Sequence, residues 1–314
     1  MSEADEAQPH EPQPRASAGP PPDILCIGSV LWDVIGHSAS HMKIGADVPG
    51  RITRQPGGVA LNIALTLTRF SLTPALLTVL GQDREGRALA DACRARGLVM
   101  DHAHLSEDLP TDRYMAIEAA NGLIAAIADA HSLEAAGARI LAPLREGPLA
   151  TTAAPWEGPI ALDGNLTEAL LGEIAADPAF ARADLRVAPA SPGKAARLLP
   201  LLSHPRATFY VNRAEAGILC AESFPDAARA AEGLKARGAH RVLVTDGAKP
   251  CALSDQEGLL TLAPPEVLVT RVTGAGDTFM AAHIAAEIRG KARRAALEAA
   301  LEAAARHVSG ETPL

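Results

Sequence analysis

The sequence of 314 residues is poor in aromatic side chains, which make up 3% of it, and carries a formal net charge of −8 at pH 7. Such a chain is ill suited to nucleic acids, because binding them needs a positive surface and usually stacking side chains. It also lacks any apolar run that approaches the roughly 18 residues of a membrane span. These absences favour a small-molecule partner over a nucleic acid or a membrane.

Cysteine is scarce, and no Cys-x-x-Cys pair occurs among the four residues Cys26, Cys93, Cys220 and Cys251. This spacing argues against a disulfide framework or a structural zinc site, and indicates buried thiols in a reducing cytoplasm. Residues 1–22 are rich in Pro, Ala, Glu and Gln and have no apolar core. We therefore predict a disordered tail there rather than a secretory signal.

Short apolar runs alternate with helical segments from residue 23 onwards, which predicts an α/β fold with a mostly parallel sheet covered by helices on both faces. Strands are predicted at 24–28, 75–80, 160–162, 185–188, 208–211 and 241–245. Helices are predicted at 60–67, 86–96, 225–237 and 279–307. We expect one domain over residues 23–314.

Two hairpins interrupt this alternation. Asn121-Gly122 stands between two strand-length apolar runs, which predicts a hairpin with a type I′ turn, because both central residues of that turn need positive φ. A second, shorter hairpin is predicted between residues 251 and 262. The first hairpin is expected to belong to a small accessory sheet that forms a lid.

A glycine-rich motif, Thr273-Gly274-Ala275-Gly276-Asp277, lies between a predicted strand and a predicted helix. Its small residues allow a tight turn and leave backbone N–H groups unobstructed. At a helix N-terminus such groups bind anions, helped by the helix dipole. Asp277 then falls in the first helical turn, beside the anion, although an aspartate there could also simply cap the helix.

Four further clusters of polar residues or glycine follow predicted strands or begin predicted helices. They are Asp33, Gly57-Gly58 with Asn62, Asn212 with Glu215, and Thr245 with Gly247. The carboxyl ends of parallel strands meet at one edge of a sheet, where ligands of open α/β folds bind. We therefore expect all five clusters to converge on one site.

Two of these motifs resemble signatures of the ribokinase-type (PfkB) carbohydrate kinase superfamily. Residues 56–64, Pro-Gly-Gly-Val-Ala-Leu-Asn-Ile-Ala, are similar to its glycine-glycine motif, and 273–279 to its C-terminal motif. Residues 212–215 resemble its Asn-x-x-Glu motif, and 244–247 its nucleotide-loop strand. The resemblance spans the chain from about Asp23 to the C-terminal helix. It implies a ribokinase-like fold whose lid is built from about 34–56 and 111–129.

The resemblance also implies an ATP-dependent phosphotransferase. Asp277 would be the general base, and Gly274, Ala275 and Gly276 would stabilise the transferring phosphoryl group. Asn212 and Glu215 would hold Mg²⁺ through water. ATP contacts are implied for Asn212, Thr245, Gly247 and Thr273. Substrate contacts are implied for Asp33, Gly57, Gly58, Asn62, Asp129 and Asn165.

Less specific sequence matches bear on the identity of the acceptor substrate. The strand ending at Asp129, the stretch 163–166 and the stretch 188–195 resemble the corresponding parts of pseudouridine kinases, and Thr167 stands where sugar kinases of the superfamily more often carry arginine. Pseudouridine, phosphorylated at its 5′ hydroxyl, is thus the favoured acceptor. A ribokinase-, fructokinase- or adenosine-kinase-like activity is the alternative.

A non-catalytic nucleoside-binding protein is a further alternative, against which the complete 274–277 motif argues. Arg271 departs from the family, which usually has an acidic residue there that is linked to a monovalent cation. Arginine has donors only and cannot ligate a cation, so the resemblance does not extend to that site. We also expect a homodimer that forms through the lid, and a cytoplasmic location.

Overall fold

The computed structural model describes residues 21–311, so residues 1–20 of the predicted tail lie outside the described residues. The strands are β1 (Ile24–Ile27), β2 (Leu31–His37), β3 (Arg51–Gly57), β4 (Pro74–Leu77), β5 (Val79–Gly81), β6 (His104–Ser106), β7 (Arg113–Ala119), β8 (Gly122–Asp129), β9 (Pro159–Asp163), β10 (Asp184–Ala188), β11 (Ala207–Asn212), β12 (Arg241–Asp246), β13 (Lys249–Asp255) and β14 (Gly258–Leu262).

The α-helices are α1 (Val59–Arg69), α2 (Arg84–Arg94), α3 (Ser132–Ala136), α4 (Ala142–Arg145), α5 (Glu168–Ala176), α6 (Arg213–Cys220), α7 (Ala227–Ala236), α8 (Ala275–Ile288) and α9 (Arg293–Ser309). Short 3₁₀ segments occupy Gly137–Leu141, Pro178–Phe180 and Pro192–Leu201. Within residues 21–311, no helix has the length and apolar character to cross a membrane.

Eight strands form the main sheet in the order β14-β13-β12-β11-β10-β9-β1-β4. The six strands from β12 to β4 are parallel, and β13 and β14 continue the sheet antiparallel as the predicted second hairpin. Strand β1 shows why the sheet is covered on both faces: Leu25 and Ile27 pack into one apolar layer, whereas Ile24 and Cys26 pack into the other. The predicted α/β fold is confirmed.

A separate four-stranded sheet has the order β3-β2-β7-β8, and we call it the lid sheet after its expected role. The predicted hairpin is present, with Ala119 paired to Gly122, but the predicted type I′ turn is wrong. Gly122 has a φ of 95°, whereas Asn121 is not among the residues with positive φ. One glycine thus supplies the left-handed residue that this turn needs, because glycine has no Cβ to clash.

Three predicted elements differ from the structure. The strand predicted at 75–80 is divided at Thr78 into β4 and β5, and the helix predicted at 279–307 is two helices separated near Gly290, whose φ is 73°. The glycine-rich motif does not directly follow a strand, since β14 ends at Leu262. Pro264 and Pro265 lack the N–H that would continue the ladder.

Candidate active site

The site is assembled around the fully buried carboxylate of Asp163, at the carboxyl end of β9. Its Oδ2 accepts hydrogen bonds from the backbone N–H groups of Ser29 (2.9 Å) and Ala60 (3.0 Å). Its Oδ1 accepts from the Asn165 N–H at 2.7 Å. Burial raises the pKa of Asp163, while these N–H groups act in the opposite direction. One side chain thereby joins the β1–β2 turn, the start of α1 and the loop after β9.

The two glycines of the 56–64 motif permit a close approach at this junction. Gly58 has a φ of 108°, and a Cβ there would lie 2.3 Å from the Ser29 carbonyl oxygen. A Cβ on Gly57 would lie 2.0 Å from Oδ2 of Asp33. Glycine is required at Gly58, where φ is positive and the neighbour is backbone, whereas a side chain at Gly57 would force the Asp33 carboxylate to move.

Asp33 lies within β2 of the lid sheet rather than just after a main-sheet strand, which corrects its predicted position. Its carboxylate accepts no hydrogen bond from the residues that the structure describes, and burial raises its pKa to about 6. The carboxylate stands against Gly57, where the lid sheet meets the main body. An acceptor left open at this place suits the hydroxyl groups of a ligand.

Asp277 is the third residue of α8, and the structure brings it to the 56–64 motif. Asn62 Nδ2 donates to Asp277 Oδ2 at 3.2 Å. Burial raises the pKa of Asp277 to about 7; the Asn62 hydrogen bond lowers it, and the charges of Asp163 and Glu215 raise it. A carboxyl group that titrates near neutral pH can take a proton from a bound hydroxyl, as a general base does.

The predicted anion-binding turn precedes Asp277. Gly274 adopts the left-handed conformation with φ 81° and is the N-cap of α8. The Ala275 N–H donates to the Val272 carbonyl at 3.1 Å, so it is occupied in this structure. The N–H groups of Gly274 and Gly276 have no hydrogen-bond partner within residues 21–311. Two free donors at a helix N-terminus are suited to an anion.

Asn212 and Glu215 form a reciprocal capping box at the start of α6. Asn212 Oδ1 accepts from the Glu215 N–H at 2.9 Å, and Glu215 Oε2 accepts from the Asn212 N–H at 2.8 Å. One oxygen of each side chain is therefore already used to cap the N-terminus of α6. Burial raises the pKa of Glu215, whose charge also acts on Asp277.

The oxygen donors of Asn212 and Glu215 fit the preference of Mg²⁺ for oxygen ligands. No group of three or more His, Cys, Asp and Glu side chains that could hold a metal occurs in the described part of the chain. A magnesium ion at this edge would therefore need water and phosphate oxygens to complete its coordination, as Mg²⁺ commonly does.

Of the remaining predicted nucleotide residues, Thr245 and Gly247 lie near this motif, whereas Thr273 contacts α9. Thr245 of β12 pairs in register with Asn212 of β11. Gly247, with φ 61°, forms the turn into β13. The carbonyl of Thr273 faces α9, where it contacts His307 Nε2 at 2.7 Å.

Asp129 is not brought to the other predicted substrate residues. In the lid sheet Asp33 pairs with Tyr114, and Trp32 with Arg113, which in turn pairs with Asp129. Because successive side chains of a strand point to opposite faces, Asp129 lies on the face opposite Asp33. Its carboxylate is exposed, 3.8 Å from the Arg113 guanidinium.

Two polar residues at this edge were not predicted as site residues. Asp163 directly follows a buried apolar run, the same signal that singles out Asp33, but from the sequence it is identified only as part of the pseudouridine-kinase-like stretch 163–166. Lys194 Nζ donates to Asn165 Oδ1 at 2.6 Å and so places an ammonium group beside a predicted substrate residue. A lysine 29 residues further along the chain gave no local signal of this contact.

Arg271 is the residue at which the sequence departs from the family pattern. Its guanidinium is directed at the C-terminal end of α9. Arg271 Nε donates to the His307 carbonyl oxygen at 2.7 Å. The backbone N–H groups of Thr270 and Arg271 both donate to the Val308 carbonyl. The arginine thus places positive charge at the carbonyl end of a helix, where the helix dipole favours it.

Comparison with known proteins gives a consistent picture. The family model described as pfkB family carbohydrate kinase matches residues 21–312. Pseudouridine kinase of Escherichia coli (strain K12) is 29% identical over 263 residues, which are 82% of this chain and 81% of the relative.

Solved structures are similar along nearly the whole chain. A carbohydrate kinase from Agrobacterium tumefaciens is 28% identical with a TM-score of 0.76, covering 90% of this chain and 89% of its own. The ribokinase of Arabidopsis thaliana complexed with ribose and ATP has a TM-score of 0.68 at 20% identity, covering 92% of this chain and 93% of its own. At that identity the likeness shows the shared fold alone.

The contact between Asn62 and Asp277 predicts a measurable shift in titration. Replacing Asn62 by leucine removes the donor but keeps most of the volume, so the pKa of Asp277 is expected to rise above about 7. The carboxyl carbon resonance of Asp277, followed by NMR as a function of pH and assigned with Asp277→Asn, measures it. Thr66→Val, one helical turn away, should leave the titration in place. An equal midpoint in Asn62→Leu and the wild type would contradict the contact.

Proposed function

The chain belongs to the pfkB family of carbohydrate kinases, which are phosphotransferases that use ATP, and on this basis we propose that it phosphorylates the 5′ hydroxyl of pseudouridine. The observation that carries the transfer is the convergence of Asp277 with Asn62 beside the free N–H groups of Gly274 and Gly276. The choice of acceptor is supported by the 29% identical pseudouridine kinase and by the pseudouridine-kinase-like stretches of the sequence.

Asp277 performs the proton transfer in the proposed reaction. Its Oδ2 is held by Asn62, and the carboxylate takes the proton of the acceptor hydroxyl as that oxygen attacks the γ-phosphorus of ATP. The bond from the γ-phosphorus to the bridging oxygen breaks, and ADP leaves. The N–H groups of Gly274 and Gly276 stabilise the charge on the transferring phosphoryl oxygens.

Two further groups complete the proposed site. Asn212 and Glu215 would hold Mg²⁺ through water, and the ion would supply positive charge that neutralises phosphate charge. Asp33, whose carboxylate is open in the described part of the chain, accepts hydrogen bonds from ribose hydroxyls. Because its pKa is raised only to about 6, it is mainly ionised at pH 7 and acts as an acceptor.

Four buried, free cysteines agree with the reducing environment of the cytoplasm, where we place the reaction.

The first prediction concerns the base. Asp277→Asn keeps the shape of the side chain but cannot take a proton, so kcat should fall by about 10²-fold or more while ATP binding survives. Steady-state kinetics and ATP titration measure the two quantities. In the wild type, kcat/KM should rise with pH through about 7, since the carboxylate form is the active one.

Asp226→Asn provides a matched control, because Asp226 caps α7 away from the site and asparagine caps equally well. Its kcat should equal that of the wild type. Near-normal turnover in Asp277→Asn would remove Asp277 from the proposed role.

The second prediction concerns the acceptor. Pseudouridine should give a higher kcat/KM than uridine, ribose or fructose with Mg·ATP, as determined by mass identification of products in parallel reactions. A site that bonds to the polar edge of the base rejects analogues without the partner group, because its own buried polar groups are then left unpaired. Ribose exceeding pseudouridine would indicate a sugar kinase with the same chemistry. Nucleoside binding without any phosphorylated product would support the non-catalytic alternative.

The third prediction concerns cations. We propose that activity needs no monovalent cation, because Arg271 already carries positive charge at the end of α9 and a second cation 4 Å away would be repelled by about 4 kcal/mol. Initial rates in K⁺ and in tetramethylammonium should agree within about twofold at equal ionic strength, which keeps charge screening the same. A rise of about tenfold with K⁺ would contradict the proposal.

We also propose that two copies pair through the lid sheet. The face opposite Asp33 carries exposed apolar side chains, namely Ile52, Met115, Ile117 and Ile127. Contiguous exposed apolar surface of this kind marks interaction sites. Sedimentation should give twice the chain mass of 32.5 kDa, and Ile127→Lys should shift it to the monomer. Leu259→Lys, exposed on β14, should remain dimeric, and a monomeric wild type would refute the pairing.

A further inference from the structure

His307, in the last turn of α9, is fully buried and in contact with the anion-binding turn. Its Nε2 lies 2.7 Å from the carbonyl oxygen of Thr273, the residue directly before Gly274. A carbonyl oxygen can only accept, so Nε2 carries the proton and donates it. The other ring nitrogen, Nδ1, is buried without a hydrogen-bond partner in the described part of the chain.

The ring of His307 is therefore the neutral Nε2–H tautomer. A second proton on Nδ1 would be buried without an acceptor, which is costly. Burial lowers the pKa of His307, the bond to Thr273 raises it, and the guanidinium groups of Arg271 and Arg69 lower it further. The hydrogen-bond geometry and the surrounding charges therefore both favour a neutral His307 ring that donates only from Nε2.

This contact fixes the direction of a neighbouring peptide group. The Thr273–Gly274 peptide is trans, so its carbonyl and its N–H point in opposite directions. With the carbonyl held toward His307, the Gly274 N–H points away from α9. That N–H is one of the two free donors beside Asp277.

Without His307, the Thr273 carbonyl oxygen would be open to a hydrogen bond from an N–H group of α8. In an α-helix the carbonyl of residue 273 accepts from the N–H of residue 277. Extending α8 in this way would turn the peptide and take Gly274 out of its left-handed conformation, φ 81°. Such an extension would redirect the donor that faces the anion.

We propose that His307 is a positioning residue for phosphoryl transfer, which aims the Gly274 N–H at the transferring group by holding the Thr273 carbonyl. The proposal rests on the proposed function, because the N–H is assigned there to the γ-phosphoryl oxygens. Charge on those oxygens is stabilised most in the transition state, so a misdirected donor lowers kcat more than it changes KM for the acceptor.

The test compares two substitutions. His307→Phe keeps a ring but removes the donor, and kcat should fall by about 10-fold to 100-fold, less than or equal to the loss of a whole oxyanion donor. His307→Gln restores an N–H donor and should recover most of the rate. Arg306→Gln, an exposed neighbour in α9, should leave kcat unchanged. Wild-type kcat in His307→Phe, or an effect on KM alone, would overturn the proposal.

Two spectroscopic measurements separate this inference from the proposed function, and the first of them does not depend on the variants folding. In the wild type at pH 7, two-bond ¹H–¹⁵N spectra of the imidazole should show Nε2 protonated and Nδ1 bare; the reverse tautomer or a doubly protonated ring would overturn the proposal. The ¹⁵N shift of the Gly274 amide should change in His307→Phe and return in His307→Gln; an unchanged shift would also overturn it. A wild type that phosphorylates no acceptor would refute the proposed function, while these shifts would still decide whether His307 orients the turn.

Discussion

Burying the Asp163 carboxylate is the constraint on which the arrangement of this site depends. A buried charge without partners is costly, and here backbone N–H groups of three separate segments compensate for the lost hydration. One of those segments is the start of α1, which carries Asn62. Through Asn62 the same constraint reaches Asp277, so the position of the proposed base depends on a carboxylate that itself transfers no proton.

The site also collects negative charge before any ligand arrives. Asp163 and Glu215 both act on Asp277 and raise its pKa, although burial has the larger effect. Nearby like charges add to the rise in pKa that burial causes, and a bound cation would act in the opposite direction. The proton affinity of Asp277 is therefore coupled to the occupancy of the edge near Asn212 and Glu215.

Much of the main sheet could be predicted, because buried parallel strands are apolar runs that end in polar residues or glycine. Asn62 and Asp277 do meet, as expected, but not for the expected reason that strand ends meet at one edge. Asn62 lies in α1, which follows β3 of the four-stranded sheet, and Asp277 lies in α8, which no strand directly precedes. The predicted position of Asp129 could not be obtained correctly from the sequence pattern. A β-bulge between Ile117 and Glu118 shifts the register of β7 and β8 by one residue, and a one-residue shift moves every later side chain to the other face. A hydrophobic pattern as uniform as 123–128 contains no signal for that shift.

The attachment of the lid sheet has a mechanical consequence. Strand β2 begins two residues after Ser29, and β3 ends three residues before Ala60, and the N–H groups of these two residues meet on the same oxygen of Asp163. These two connections of the lid sheet to the main body are thus fixed at this oxygen, and the sheet would rotate about it. Asp33, in β2, is only four residues from Ser29, whereas Asn121 lies at the hairpin tip, at the other end of β7 and β8. Rotation of the sheet about this point would displace the hairpin tip much more than Asp33, so the tip would move while the carboxylate proposed to bind the acceptor stays in place.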